Sequence, residues 1–402
     1  MYTVEEVLDF IQEEDVKFIR LAFFDLNGVQ KNVSIMAGEL ERAFEYGISF
    51  DASSITGFEK ANHSDMFLHP DPSTLAILPW RPSTGKVVRM FCDIRYSDGT
   101  PYEKDCRNIL RNAAKKVQEE CGISLNFGTE VEFYLFKLDE KGEATKIPFD
   151  NAGYMDIAPE DKGENIRRDI CFTLEQMGIR PESSHHEGGP GQNEIDFRYG
   201  PALTAADNCS TFKWIVRTKA NASGLYADFS PKPLLNQPGS GMHINISCNS
   251  KDKTQDYTSY MVSGILKHIS EITYFLNPSE NSYSRLGECK APKYVCWGKE
   301  NRSSCIRIPA WKIEERLEVR SSDPLANPYI AFALLIYAAM DGIKNKLELV
   351  QGTEENLFEA DKKVTTQLEE LPSNLEQAYK LAVNSEWVEQ VLGKKVLDSF
   401  RR

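Results

Sequence analysis

Residues 127–136 read FGTEVEFYLF, with Glu130 and Glu132 set into an apolar run. In a strand, successive side chains point to opposite faces, so Glu130 and Glu132 share one face while Val131, Phe133 and Leu135 line the other. One such carboxylate pair is ordinarily the wet side of a half-exposed strand. The flanking sequence gives it a setting. Before it, a helix is expected at 106–120. After it come a helix at 164–178 closed by Gly178, a Gly-rich turn feeding a strand at 188–199, and a long helix at 204–224. A strand at 239–248, a helix at 257–276, a loop-rich stretch at 277–314, a strand at 315–321 and a mostly helical remainder complete the pattern. Strands and helices mix without strict βαβ order, which predicts an α+β fold.

The first hundred residues read as a smaller mixed unit. Thr3 and Glu6 form a capping box opening a helix to about Glu14. Asn27-Gly28 between two strand-like runs predicts a hairpin. A helix near 37–46 and strands at 74–80 and 86–95 follow. The polar segment 96–105, with Gly and Pro, is the best linker, so domains are expected over 1–100 and 101–402.

Composition limits the function. The chain has 402 residues, with 47 Lys and Arg against 60 Asp and Glu, a net charge of −13. That balance argues against nucleic acid and against anionic lipid as partners. The start lacks a signal-peptide pattern, and the longest apolar run, 329–340, is too short to span a bilayer. Nine cysteines, odd in number and without a CxxC pair, fit reduced thiols and a cytoplasmic location.

Three further stretches extend the acidic theme. SSHHEGGPGQNEIDF (183–197) places Glu187 and Glu194 either side of a Gly-Gly-Pro-Gly turn. GSGMHIN (239–245) adds His243, and EERLEVRS (314–321) alternates Arg316, Glu318 and Arg320 on one strand face. Singly, each has an ordinary structural explanation. Together, five carboxylates and one imidazole can converge on one face of a sheet, an oxygen-rich site suited to Mg²⁺ or Mn²⁺. Arg285, Arg302, Arg307, Arg316 and Arg320 add a cationic set that fits phosphate and carboxylate recognition, and metals with arginines are what phosphoryl transfer needs. No GxxxxGK[ST], GxGxxG or GxSxG motif is present, so a nucleotide would be held by another architecture.

These stretches, with FDASSITGF (50–58), PKPLLNQPGSGMHIN (231–245), NPSENSYSRL (277–286), NRSSCIRIP (301–309), RLEVRSSDPLANPY (316–329) and DGIKNKLE (341–348), resemble bacterial type I glutamine synthetase over nearly the whole chain. The resemblance implies an N-terminal β-grasp domain followed by a catalytic α+β domain. It implies ATP-dependent ligation of L-glutamate with ammonia through γ-glutamyl phosphate, with ATP as co-substrate and two or more Mg²⁺ or Mn²⁺ ions per site. Glu132, Glu187 and Glu194 match the ligands of the metal near glutamate; Glu130, His243 and Glu318 match those of the metal bridging the ATP phosphates. Gly239, Arg285, Arg302 and Arg320 match the grip on glutamate. Arg307 and Arg316, with Glu182, Tyr199, Asn245 and Ser247, match nucleotide contacts. Asp51 matches the acid that binds and deprotonates ammonium, reaching the site of a neighbouring subunit, and Arg302 and Arg320 join it as catalytic. The implied assembly is a homo-oligomer, a hexameric ring and possibly a dodecamer.

Three departures from the family pattern stand out. The flap reads RLGECKAP (285–292), one residue shorter, with Lys290 where the family carries Glu and Glu288 two residues earlier. Pro238 replaces the Asn of Asn-Gly-Ser-Gly, with Asn236 nearby. The sequence ends at VLGKKVLDSFRR, before the segment that joins two rings in the family. The flap keeps open a γ-glutamyl ligase that uses an organic amine or polyamine, and the other departures a non-catalytic homologue.

Overall fold

The structure, a computed structural model, describes residues 2–252, 254–310 and 315–401. Positions 311–314, the end of the stretch read as loop-rich, lie outside the described residues.

Helix α1 (Val4–Glu13) opens on the expected capping box, the Thr3 hydroxyl accepting the Glu6 N–H at 3.2 Å and the Glu6 carboxylate accepting the Thr3 N–H at 2.7 Å. Strands β1 (Val16–Phe24) and β2 (Gln30–Met36) form the hairpin around Asn27-Gly28. Asp25 closes its turn by accepting the N–H groups of Asn27 and Val29. After α2 (Leu40–Tyr46) come β3 (Ile48–Asp51), β4 (Asp65–Pro70), β5 (Ala76–Ile77) and β6 (Lys86–Arg95). The sheet order is β2-β1-β6-β4-β3, with β5 beside β6; within this sheet the β1–β6 pairing is parallel and the other described pairings are antiparallel. The strand expected at 74–80 shrinks to β5, because Pro79 has no N–H to continue the ladder.

The segment 96–105 is packed rather than free. Tyr102 is fully buried with its ring 5.2 Å from that of Phe58, and Asp105 caps the next helix, α3 (Cys106–Cys121). Beyond it, β7 (Ser124–Leu138) is the spine of a ten-stranded sheet. Next to it lie β8 (Ala144–Pro148), β10 (Gln192–Phe197), β11 (Gly200–Pro201), β12 (Leu225–Asp228) and β13 (Met242–Asn249). Strand β9 (Pro181–His186) extends one side through β10; β14 (Trp297–Lys299), β15 (Ile306–Ile308) and β16 (Arg316–Val319) extend the other through β13.

Helices α4 (Glu164–Gln176), α5 (Ala202–Ala222), α6 (Tyr257–Leu276), the short α7 (Glu280–Tyr283) and α8 (Pro328–Asn345) supply the rest of the core. The apolar run 329–340 is the body of α8, buried all round as a helix without a polar face must be. It crosses α6 closely: a Cβ on Gly342 would lie 1.9 Å from the Tyr260 carbonyl, and one on Gly264 2.1 Å from that of Ala338. Among the described residues no helix is long and apolar enough to cross a membrane. Helices α9 (Lys362–Thr365), α10 (Leu375–Val383), α11 (Glu386–Leu392) and α12 (Lys394–Asp398) close the chain.

A buried ion network joins the two parts. Arg107 on α3 donates to both oxygens of Asp207 on α5 (3.0 and 2.9 Å), to Asp93 on β6 (3.0 Å) and to Asp71 beyond β4 (3.1 Å). Breaking such a pair would strand a buried charge, so it holds the sheets in a fixed relation.

Candidate active site

Register builds the acidic face. Across the ladder Glu132 pairs with Glu194, Glu130 pairs with Asp196 on one side and His243 on the other, and Asn245 pairs with Glu318. These positions are separated by even steps along each strand, so all point to one side of the sheet. The intervening Val131, Phe133, Ile195, Ile244, Leu317 and Val319 are buried on the other side.

Hydrogen bonds fix the ring. His243 Nδ1 lies 3.3 Å from Glu130 and 3.7 Å from Glu318, and Asn245 donates to the second Glu130 oxygen at 2.8 Å. Glu318, 1% exposed, accepts from Arg307 at 2.7 Å and from Arg320. Glu132 accepts from the Gln192 amide and the Gly241 N–H, both at 2.9 Å. Glu187, at the tip of the β9–β10 hairpin, accepts the Gly188 N–H at 2.9 Å and lies 3.1 Å from His185 Nε2. One ligand atom each from Glu130, Glu194 and His243 lie within 4.8 Å of one another, and the same holds for His185, Glu187 and Glu194. The donors are mostly carboxylate oxygens, the chemistry hard divalent cations take.

The charges are out of balance without a cation. Burial, then the charges of Glu132, Asp196 and Glu130, push the Glu194 carboxyl well up, and burial raises Glu132 as well. Burial also pushes Asp196 up to about 6, helped by Glu130. Glu130 goes the other way: burial opposes ionisation, but the hydrogen bond and charge of His243 prevail and hold it down to about 2. Glu318 is likewise lowered, with burial outweighed by Arg320 and His243.

Beside this face lies a cavity of about 220 Å³ that Glu182, Tyr199, Asn245, Ser247 and Arg316 line together with Glu130 and Asp196. Arg307 is drawn instead to Glu318. Arg285 is buried and donates to the carbonyls of Ser321 (2.9 Å) and Arg320 (3.1 Å). Gly239 lies against it: a Cβ there would sit 2.4 Å from the Pro231 carbonyl and 2.8 Å from Arg285 Cγ. Arg302 presents an exposed side chain, while its carbonyl accepts from Arg320 Nε at 3.0 Å. Asp51 stands apart, exposed at the end of edge strand β3, its carboxylate accepting from Ser53 and Ser54. Those bonds, first that of the Ser53 hydroxyl, lower its carboxyl and keep it ionised.

Sequence reasoning missed His185, Gln192 and Asp196. Each follows a signal it could have used: all three lie in SSHHEGGPGQNEIDF, at even steps from Glu187 or Glu194.

Lys290 lies exposed in the flap, its ammonium 5.5 Å from the Tyr154 ring centre, and its charge contributes to holding Glu187 low. Pro238 keeps a structural tie, its carbonyl accepting from the Tyr134 hydroxyl at 2.5 Å.

A smaller sheet joined to a larger one with an acidic, arginine-edged face and an adjoining cavity defines a two-part α+β protein equipped for divalent cations. Residues 15–97 match the family described as "Glutamine synthetase, beta-Grasp domain", and residues 103–402 that described as "Glutamine synthetase, catalytic domain". The chain belongs to the glutamine synthetase family, which works with ATP and divalent metal. It is 45% identical to a glutamine synthetase of Methanosarcina mazei, the match covering 99% of this chain and 92% of the relative, and 42% identical to one of Staphylococcus aureus (99% and 93%). A solved structure described as a GmaS/ADP complex superposes with a TM-score of 0.88 at 27% identity, covering 98% of this chain and 93% of that one. The fold is also that of Plasmodium falciparum glutamine synthetase, with a TM-score of 0.85, 23% identity and coverage of 100% and 94%.

Proposed function

We propose that this chain joins ammonia to the side-chain carboxylate of L-glutamate at the expense of ATP, by way of γ-glutamyl phosphate, on the acidic face of the large sheet. The observation that carries the reading is the strand register that sets Glu130, Glu132, Glu194, His243 and Glu318 on one face beside the cavity lined by Glu182, Tyr199, Asn245, Ser247 and Arg316.

Glu132, Glu187 and Glu194 would hold one Mg²⁺ or Mn²⁺, and Glu130, His243 and Glu318 another. Bound cations supply positive charge against the phosphate oxygens. Arg285, fixed by two carbonyls and packed on Gly239, receives the glutamate with Arg302 and Arg320. Arg307 and Arg316 face the phosphates. Asp51 takes up the ammonium and accepts its proton. Its place on the exposed edge of the small sheet favours delivery to a neighbouring subunit's acidic face, hence a ring of subunits, with the domain boundary near residue 100. Six subunits are the basic ring, and the free cysteines suit a cytoplasmic setting.

The test is ammonium-dependent release of phosphate from ATP with glutamate and Mg²⁺, repeated with a panel of organic amines and polyamines. Ammonia is expected to be the best acceptor. Folded oligomer without ammonium-dependent turnover refutes the reading, and an amine that outcompetes ammonia replaces the acceptor. Mixing inactive Asp51→Ala and Glu318→Ala subunits is expected to restore some turnover, since one site in the mixed ring is then intact; no recovery in a mixed ring refutes sharing between subunits.

A further inference from the structure

Two neighbouring side chains of the acidic face reach past the carboxylates to a short stretch of backbone. On β7, Tyr134 lies two residues beyond Glu132 and so shares its side of the sheet. Across the ladder it pairs with Gln192 of β10. Tyr134 is fully buried, its ring stacked on that of Phe136 with centres 5.7 Å apart. Its hydroxyl donates to the Pro238 carbonyl at 2.5 Å, and the Gln192 amide donates to the next carbonyl, that of Gly239, at 3.2 Å. The two residues that follow are tied as well. The Ser240 N–H donates to the Pro231 carbonyl at 2.8 Å, and the Gly241 N–H to Glu132 at 2.9 Å. Residues 238–241 thus form a strap with a fastening at each residue.

The hydroxyl has little room to move. The β9–β10 hairpin closes over it, and a Cβ on Gly189 would lie 2.0 Å from its oxygen. The same hairpin runs beside Pro238, whose Cγ is 3.6 Å from where a Gly188 Cβ would stand. At the other side of the strap, Gly239 is wedged between the Pro231 carbonyl and the Arg285 side chain. A shift of the strap therefore moves Gly239 relative to Arg285, while the carboxylates on β7, β10 and β16 stay in their ladders. Pro238 stands where the family pattern has asparagine, so that position offers no side-chain amide. In exchange its ring fixes φ and narrows the conformations open to the strap.

We propose that Tyr134 is a positioning residue for L-glutamate. Its hydroxyl holds the Pro238 carbonyl and so fixes Gly239 against Arg285 in the arrangement that receives the substrate. Backbone restraint thereby takes the place of the missing amide. This rests on the proposed function, which seats glutamate on Gly239, Arg285, Arg302 and Arg320.

The experiment is steady-state kinetics of the full-length oligomer, with calorimetric titration of L-glutamate into the protein loaded with Mn²⁺ and ADP. Tyr134→Phe deletes the hydroxyl and keeps the stacked ring. The KM and the dissociation constant for glutamate are expected to rise about fivefold, the scale of one lost hydrogen bond. The kcat, the KM for ATP and the Mn²⁺ affinity are expected to stay unchanged, a split that general loosening of the fold would not give. Pro238→Asn returns the amide of the family pattern. In the Tyr134→Phe background it is expected to recover most of the lost affinity, and in the parent to do less. An unchanged glutamate KM in Tyr134→Phe, KM values for glutamate and ATP that rise together, or no recovery with Pro238→Asn overturns the proposal. Should Tyr134→Phe not assemble, Pro238→Gly, which frees the same backbone and keeps Tyr134, carries the test with the same expected rise, and an unchanged KM there overturns it. If glutamate binds without ammonium-dependent turnover, the proposed function falls and the dissociation constants still decide the role of Tyr134. If no glutamate binds, both fall.

Discussion

Gln192 is the most informative position to change, because it touches three parts of the site without being a metal ligand. It is 1% exposed. Its amide nitrogen donates to Glu132 at 2.9 Å and to the Gly239 carbonyl at 3.2 Å, and its oxygen accepts the Gly189 N–H at 2.9 Å. Gln192→Leu keeps the approximate volume and deletes all three bonds. The Gly189 N–H is then buried without a partner, at about 1–3 kcal/mol, and the half-buried Gly239 carbonyl loses its donor. Glu132, already raised by burial, loses a donor that favours its charged form, so a proton competes harder with metal. Removing a partner that orients a metal ligand costs about tenfold to a hundredfold in affinity, or about 1.4–2.7 kcal/mol. Calorimetric titration with Mn²⁺ reads the affinity, and urea unfolding reads the stability separately. Turnover at limiting metal is expected to fall in step with affinity and to recover partly at saturating metal. A Gln192→Leu protein with a metal dissociation constant within about twofold of the parent's would refute the reasoning even if its stability had dropped, since the bond to Glu132 would then orient nothing.

Glu318→Ala removes the anion between Arg307 and Arg320. Turnover in the phosphate-release assay should fall by at least about a hundredfold, and urea stability by about 3–5 kcal/mol, the scale for a broken buried pair. Glu318→Gln should regain part of the stability but not the turnover. Lys290→Glu replaces an exposed cation beside Glu187 with an anion; at up to about 1 kcal/mol, the KM for ammonium should drop by up to about fivefold, and an unchanged value counts against a role for the flap lysine. The raised carboxyl of Glu194 favours its protonated form in the metal-free protein. Metal must displace that proton, so affinity should rise with pH above the ordinary carboxylate value of about 4.3, with proton release on binding. Titration in two buffers of different ionisation heat, at several pH values above the ordinary carboxylate range, measures the release, and none at any of them would contradict the shift.

The large sheet was legible because its strands carry their message in alternation. TEVEF, NEIDF, MHINI and RLEV each put charge and hydrocarbon on opposite faces, and the sheet aligned those faces. The small strands β3 and β4 were not, since ISFD and DMFLHP are too short and too mixed to show a period. Segment 96–105 read as a linker from its polarity, yet a single buried ring, Tyr102, fastens it. His185, Gln192 and Asp196 escaped notice for a different reason. Their even spacing from Glu187 and Glu194 puts them on the same face, but that spacing alone does not separate a glutamine that holds a neighbouring carboxylate from one that faces water.

The alternation that assembles the acidic face also restricts how this chain can vary in length. One residue inserted into β7, β10, β13 or β16 would turn every following polar side chain of that strand's acidic face into the hydrocarbon layer and bring apolar side chains out in its place. Length changes in these strands are thus nearly all-or-nothing, whereas the connecting loops are free of the constraint. The flap at 285–292 is such a loop. Innovation in this protein can accumulate at the rim, by lengthening, shortening or recharging what closes over the face, while the face itself can change only by exchange of one side chain for another.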